Sequence, residues 1–255
     1  MIQFYRIILL NTVLLTLVLS ARTQTVESLI QKGVDFEKKI NEVQAYKTYQ
    51  EVLKLQPLHL FALVRCSELA CRIGKLQNLE KLQEKYYNDA LTYAKRAIKV
   101  KSDDSDANLV LSLAYGRLAL LKSGSERVEY VKEIKAYAEK SLRLNRSNFK
   151  ALHVLGKWHY EVSNLNMIEL AAVRLFYGGL PEASLDSSIY FYEKVRVLAP
   201  GFALNYLELA KAKKRNGDKK SAAQLLKVIF TLPPSSSEDG LIRSEANRLL
   251  RSLGN

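Results

Sequence analysis

FKALHVLGKWHYEV, residues Phe149–Val162, is the stretch from which the rest of the chain can be set in register. Leu152, Leu155, Trp158 and His159 recur at three- and four-residue intervals, the period of an amphipathic helix. The polar turn Asn145-Arg146-Ser147-Asn148 precedes it. Apolar-x-x-Leu-Gly-x-x-aromatic is also the spacing of the first helix in a 34-residue helix–turn–helix repeat.

Stepping outward by that unit yields four more helix pairs. In 26–59, Leu29, Gly33 and Phe36 fall on one helix and Ala45, Tyr49 and Val52 on the next, with Pro57 after it. The small residue lets the two helices close up, the aromatic fills the gap, and proline stops the second helix. In 60–102, Leu63, Cys66, Ser67 and Ala70 face Ala90, Ala94 and Ala97 across a charged insertion around Lys75–Lys85 whose pattern is still helical. Ser102-Asp103-Asp104-Ser105-Asp106 then breaks the pattern and offers an N-cap. In 105–146, Asn108, Leu111, Ser112 and Tyr115 face Ile134, Ala138 and Ser141, again across an insertion that includes Ser123-Gly124-Ser125.

The fourth unit, 149–200, contains the opening stretch and resumes with Ser188, Tyr192 and Val195. The fifth, 203–234, has no insertion: Tyr206, Leu209 and Ala210, the turn Asn216-Gly217-Asp218, then Ala222, Leu226, Ile229 and Pro234. Ser235-Ser236-Ser237-Glu238 reads as the cap of a terminal helix over 238–253, whose Arg243, Arg248 and Arg251 suit the solvent-facing end of an array. Prolines 57, 200 and 234 close three units. The expected fold is all-α: a tetratricopeptide-like helical-repeat solenoid of five helix pairs and a C-terminal capping helix within 22–255. An irregular helical bundle is the alternative.

The interruption at 163–186 stands apart. Met167–Tyr177 (MIELAAVRLFY) is strongly apolar, and Gly178-Gly179-Leu180-Pro181 ends it sharply. Exposed apolar patches are normally avoided, so a short helix packed on the solenoid is preferred to a mobile lid over a groove.

Composition agrees with a folded helical protein. Apolar residues make up 48% of the chain and charged ones 25%, with only five prolines and eleven glycines among 255 residues. Residues 1–21 have the order of a secretory signal peptide: Arg6, the apolar run Ile7–Leu19, then Ser20 and Ala21 before a polar stretch. That run falls short of the roughly 20 residues that span a bilayer. Export, to a periplasm, is the expectation, with an uncleaved N-terminal anchor as the lesser alternative. The net charge of +13 favours acidic partners: protein segments or an anionic membrane surface. Export sets nucleic acid aside. A solvated helix surface is the competing explanation of the charge, including the densest run, KAKKRNGDKK at 211–220.

No catalytic constellation is present. The sequence contains no glycine-rich phosphate loop, nucleophile elbow or His-Glu-x-x-His helix. His153 and His159 lie on different faces with no third ligand beside them, and His59 is remote, so neither metal nor cofactor is expected. Cys66 and Cys71 point about 140° apart on one helix and are expected to be small buried residues rather than a disulfide. A non-catalytic scaffold is the reading that remains.

Leu155-Gly156-Lys157-Trp158, followed by Val162-Ser163-Asn164-Leu165, resembles the regulator of microtubule dynamics family. The likeness extends through Gly179-Leu180-Pro181, the Leu198-Ala199-Pro200-Gly201-Phe202 turn and the last unit; the first half shares the general repeat pattern. The resemblance implies an adaptor linked to microtubules or membrane contact sites, with lipid binding in some members. An exported protein does not meet cytoplasmic tubulin, so the chain looks like an exported bacterial relative, in which the shape and a groove for peptide or lipid carry over.

In that architecture first helices line the concave face, through residues lying between the packing positions. Here these are Arg65, Glu68, Arg72, Arg117, Lys150, His153, Lys157, Tyr160, Lys211 and Lys214. Leu152, Leu155 and His159 would hold the stack. The lysine–asparagine clamp that many tetratricopeptide proteins place on a C-terminal carboxylate is absent, because Ile30 and Val34 stand there. The expected function is a scaffold that takes an acidic or extended protein segment in this groove. The alternative is lipid binding or transfer through the groove and the apolar 167–177 insertion.

Overall fold

A computed structural model describes residues 24–254, so the leader-like segment 1–21 lies outside the described residues. The chain runs through α1 (24–38), α2 (Glu42–Leu55), α3 (Leu60–Lys75), α4 (Glu80–Val100), α5 (Ser105–Leu118) and α6 (Gly124–Leu144). It continues through α7 (Phe149–Val162), α8 (Met167–Tyr177), α9 (Leu185–Leu198), α10 (Ala203–Arg215), α11 (Lys219–Ile229) and α12 (Asp239–Ser252). Among the described residues there is no strand, and none of their helices is long and apolar enough to cross a membrane.

Side chains set the helix starts. Asn41, His59, Asp104, Asn148, Ser184 and Asp218 each accept the backbone N–H three residues on, satisfying a donor that the first turn leaves unpaired. Helices then pack as consecutive pairs: α3 on α4, α5 on α6, α7 on α9, α10 on α11. The seam is the one read from the repeat spacing. Ala45, Tyr49 and Val52 are fully buried, and so are Ala90, Ala94 and Ala97; Ser188, Tyr192 and Val195; and Ala222, Leu226 and Ile229. Ala138 and Ser141 are buried in the same way on α6.

The small residue on each first helix is what permits this approach. A Cβ on Gly33 would lie 2.5 Å from the Tyr49 ring, and one on Gly156 would lie 2.7 Å from Tyr192. In the second and third units serine takes that place, and its hydroxyl donates across the seam: Ser67 to Ala90 O and Ser112 to Ile134 O. The charged insertions lengthen α4 and α6 to 21 residues each, as their helical pattern implied. Cys66 and Cys71 are buried free thiols, both raised to about 12 by burial.

Two expectations need correction. α8 does form, with Asn166 and Glu169 as a reciprocal cap and left-handed Gly178 at its end. It rests on α6, where Lys132 Nζ donates to Tyr177 O at 2.8 Å. Yet it has no buried residue; Met167 and Ile168 are each 82% exposed, and Leu175 and Phe176 also face outward. Packing therefore does not account for its apolar character. At the other site, Glu238 makes no side-chain cap bond to α12. Its carboxylate points away from its own helix, toward Lys75 and Arg117 of the second and third repeats.

Candidate functional site on the concave face

First helices of successive repeats share one face. α3, α5, α7 and α10, with Glu37 of α1 and Glu42 of α2, line a cavity of about 400 Å³. Arg65, Glu68, Arg72, Arg117, Lys150 and His153 all border it. Further along the same helices, Tyr160, Lys211 and Lys214 border a second cavity of about 500 Å³ with Asn164, Arg215, Glu245, Arg248 and Leu249. Lys157 joins Lys211 on the Glu208 carboxylate, each at 2.8 Å. Of the ten residues read from the repeat spacing, six border the first cavity and three the second, and Lys157 reaches the second group through Glu208.

At the first cavity the charges neutralise one another. Glu37 accepts from Arg65, whose Nη1 also reaches Glu68 at 2.5 Å; Lys150 meets the other Glu68 oxygen at 2.5 Å. Arg72 binds Glu42 at 2.8 Å. Glu68 is only 8% exposed. Burial pushes its carboxyl upward, but Lys150, Arg65 and Arg72 outweigh that and hold it near 2. Glu208, 6% exposed, is likewise pushed up by burial and brought down to about 2 by Lys157 and Lys211. Lys157 is raised in turn: burial disfavours its charge, but Glu208 and Glu161 more than compensate.

The expected basic groove is therefore not a row of free cations at this end. Arg65, Arg72, Arg117 and Lys150 face Glu37, Glu42, Glu68, Glu238 and Asp239 around one cavity. His153 is also not a free contact. It is buried, its Nδ1 lies 3.1 Å from Asn205 Oδ1, and its ring packs on Tyr192 and Phe202. Burial lowers its pKa, so it is a neutral wall residue. His159 does hold the stack, lying 5.5 Å from the Phe191 ring.

The second cavity differs. Among its lining residues Lys211, Lys214, Arg215 and Arg248 share one acid, Glu245, although Lys211 is also held by Glu208. Arg215 is a building element: it donates to Tyr160 O at 2.9 Å and to Ser163, with its guanidinium 5.3 Å from the Tyr160 ring. Lys157 approaches the same ring at 5.6 Å. Among the described residues Lys214 donates to the exposed Ser252 hydroxyl and forms no ion pair, and the Arg248 side chain is 79% exposed. Two cations and an aromatic ring face the opening without a buried carboxylate to hold them.

The array curls far enough for its ends to meet. Glu238, buried, bridges Lys75 Nζ at 2.5 Å and Arg117 Nη2 at 3.3 Å, and Ser237 Oγ donates to Glu42. The repeat spacing missed Glu37, Glu42, Lys75, Glu208 and Glu238. Glu208 had a signal, since it holds the same place in its unit as Arg65 does in the second. Glu238 had none, because it lies beyond the last repeat.

Stacked helix pairs with first helices on a shared face define a tetratricopeptide-like repeat protein. A thermophilic tetratricopeptide protein from Thermus thermophilus superposes with a TM-score of 0.64 at 14% identity, covering 88% of this chain and 99% of that one, which shows the fold. The family model "Regulator of microtubule dynamics protein 1-3" matches residues 24–254, and the chain belongs to that family. The match takes in the first half, where only the general pattern was legible. Mouse regulator of microtubule dynamics protein 1 is 26% identical over 76% of this chain and 63% of its own length. The Xenopus laevis protein 3 is 26% identical over 82% and 43% respectively. The chain thus spans less than two thirds of these relatives.

Proposed function

We propose that the chain is a non-catalytic scaffold that takes an acidic, extended protein segment along its concave face, with the second cavity as the principal anchor. The observation that carries this reading is the pairing of under-neutralised cations, Lys214 and Arg248, with the Tyr160 ring on that face. An extended acidic peptide would place carboxylates on the cations and lay an apolar or aromatic side chain over Tyr160. The work is exported: the residue order of 1–21 supports that part of the proposal.

The test is charge reversal where no buried partner depends on the cation. Lys214→Glu with Arg248→Glu should leave folding intact and cut capture of a fluorescein-labelled polyglutamate peptide at least tenfold in an anisotropy titration. Unchanged binding would remove the second cavity from the account. Reversal of Lys150, Lys157 or Lys211 is not informative, since each holds a buried carboxylate.

A second reading, contact with lipid, is favoured by α8 alone. It presents Met167, Ile168, Leu175 and Phe176 to solvent from a capped helix, and α8 lines neither cavity. Such a helix could lie in a bilayer interface. Co-sedimentation with vesicles of anionic phospholipid, lost in Ile168→Ser with Phe176→Ser, would support it; no sedimentation of the parent chain would end it.

A further inference from the structure

The segment 233–238 is irregular and joins α11 to α12. Its residues are held less by backbone pairing than by side chains. At its end, Asp239 of α12 accepts from Ser235 N at 2.6 Å and from Ser236 Oγ at 2.8 Å. Outside it, all three ties run to the first three repeats: Ser237 to Glu42, and Glu238 to Lys75 and Arg117. These partners are 121 to 195 residues away in sequence.

The capping helix does not depend on those ties. Ile242 and Ala246 pack into the cluster of α10 and α11, formed by Tyr206, Leu207, Ala210, Ala222, Leu226 and Ile229. The connection back to the first repeats is thus additional to the cap. It is also chemically specific. Glu42, itself fixed by Arg72, accepts a hydroxyl, while Lys75 and Arg117 bracket the carboxylate of the next residue. Beside this contact lies unfilled volume walled by Phe149, Phe202 and Leu113, and the buried Arg72 Nε has no acceptor among the described residues. A spare donor and open space mark a site larger than its present occupant.

We infer that 233–238 is an internal occupant of the groove, and that the surface it covers, Glu42, Arg72, Lys75 and Arg117, docks an extended partner segment bearing a serine followed by an acidic residue. The inference rests on the scaffold reading but on a different part of the face. The internal segment and the partner would compete for the same cations, so the first cavity opens only to a ligand that displaces 233–238. The second cavity has no such occupant and binds without displacement.

The experiment uses the full chain and a labelled peptide of residues 233–241, PPSSSEDGL. Ser237→Ala with Glu238→Gln releases the internal segment without adding bulk. This variant should bind the peptide at least tenfold more tightly than the parent, and Lys75→Glu added to it should abolish the gain. A peptide with glutamine for its glutamate should bind neither. Equal affinity of parent and released variant, or no binding to the variant while polyglutamate still binds the parent, would overturn the inference and leave the scaffold reading standing. Failure of both peptides on every form would remove both. In the parent chain, hydrogen exchange gives an independent measure. Added salt should deprotect amides 235–239 while 242–250 stay protected, and joint loss of protection would also overturn it.

Discussion

The two cavities both mix basic residues with acids on the first helices, the second adding Glu245 and Arg248 of α12, yet they differ in kind. At the first cavity Arg65 and Arg72 meet carboxylates of the first repeat, Lys150 meets Glu68 two repeats away, and Glu68 is held near 2. At the second, Lys214 and Arg248 find, among the described residues, only an exposed hydroxyl and the rim residue Glu245. What separates structural charge from available charge is therefore whether the fold brings a buried carboxylate to it. A lysine at a groove position is committed when a buried acid lies within reach, as Glu68 does for Lys150 and Glu208 for Lys157 and Lys211, and free when none does.

Removing the acid from each end should break this comparison most visibly. Glu68→Ala leaves Arg65, Arg72 and Lys150 half-buried without their shared partner and should cost about 3–5 kcal/mol. Glu245→Ala, at the solvated rim, should cost less than about 1 kcal/mol. Urea denaturation measures both, and equal losses would collapse the distinction.

Acid should act on the committed charges alone. Glu68 and Glu208 titrate near 2 in the folded chain and near 4.3 when unfolded. Their depressed values stabilise the fold fully above about pH 4.5, and the contribution, about 3 kcal/mol each, is lost as pH falls through 4 toward 2. Denaturation midpoints measured from pH 6 to pH 2.5 should fall over that window, and Glu68→Gln should flatten the slope.

Single lysine truncations give a smaller contrast. Lys150→Ala should cost about 1–2 kcal/mol, since Glu68 keeps its arginines; Lys214→Ala should fall within about 0.5 kcal/mol of the parent. Least of all, Ile168→Ser with Phe176→Ser on α8 should change stability by no more than about 0.5 kcal/mol, because neither side chain is buried. A large loss there would restore the packing role that its exposure denies.

The seam was legible because its requirements are local. Gly33 meets Tyr49 and Gly156 meets Tyr192, and each ring follows a small residue four positions earlier, Ala45 or Ser188, a spacing that is in the sequence. The groove positions were legible for the same reason, since a helix face repeats. Their electrostatic state was not. Lys150 meets Glu68 across 82 residues, and Glu238 meets Lys75 across 163, through the curl of the whole array. The serine-rich run before α12 resembled a cap, the usual role of such residues, and only the closing of the superhelix gives Glu238 a different one. α8 failed in the opposite sense: its apolar content implied burial, but an insertion tethered beside one helix has no second surface to bury it.

The most direct test is to map where an acidic peptide binds. Amide hydrogen exchange of the parent chain with and without saturating polyglutamate should show new protection at 157–164, 211–216 and 245–249, and none at α8. Lys214→Glu with Arg248→Glu should erase it. Protection confined to α8 or to the outer helices, or unchanged by those two reversals, would contradict the concave-face account.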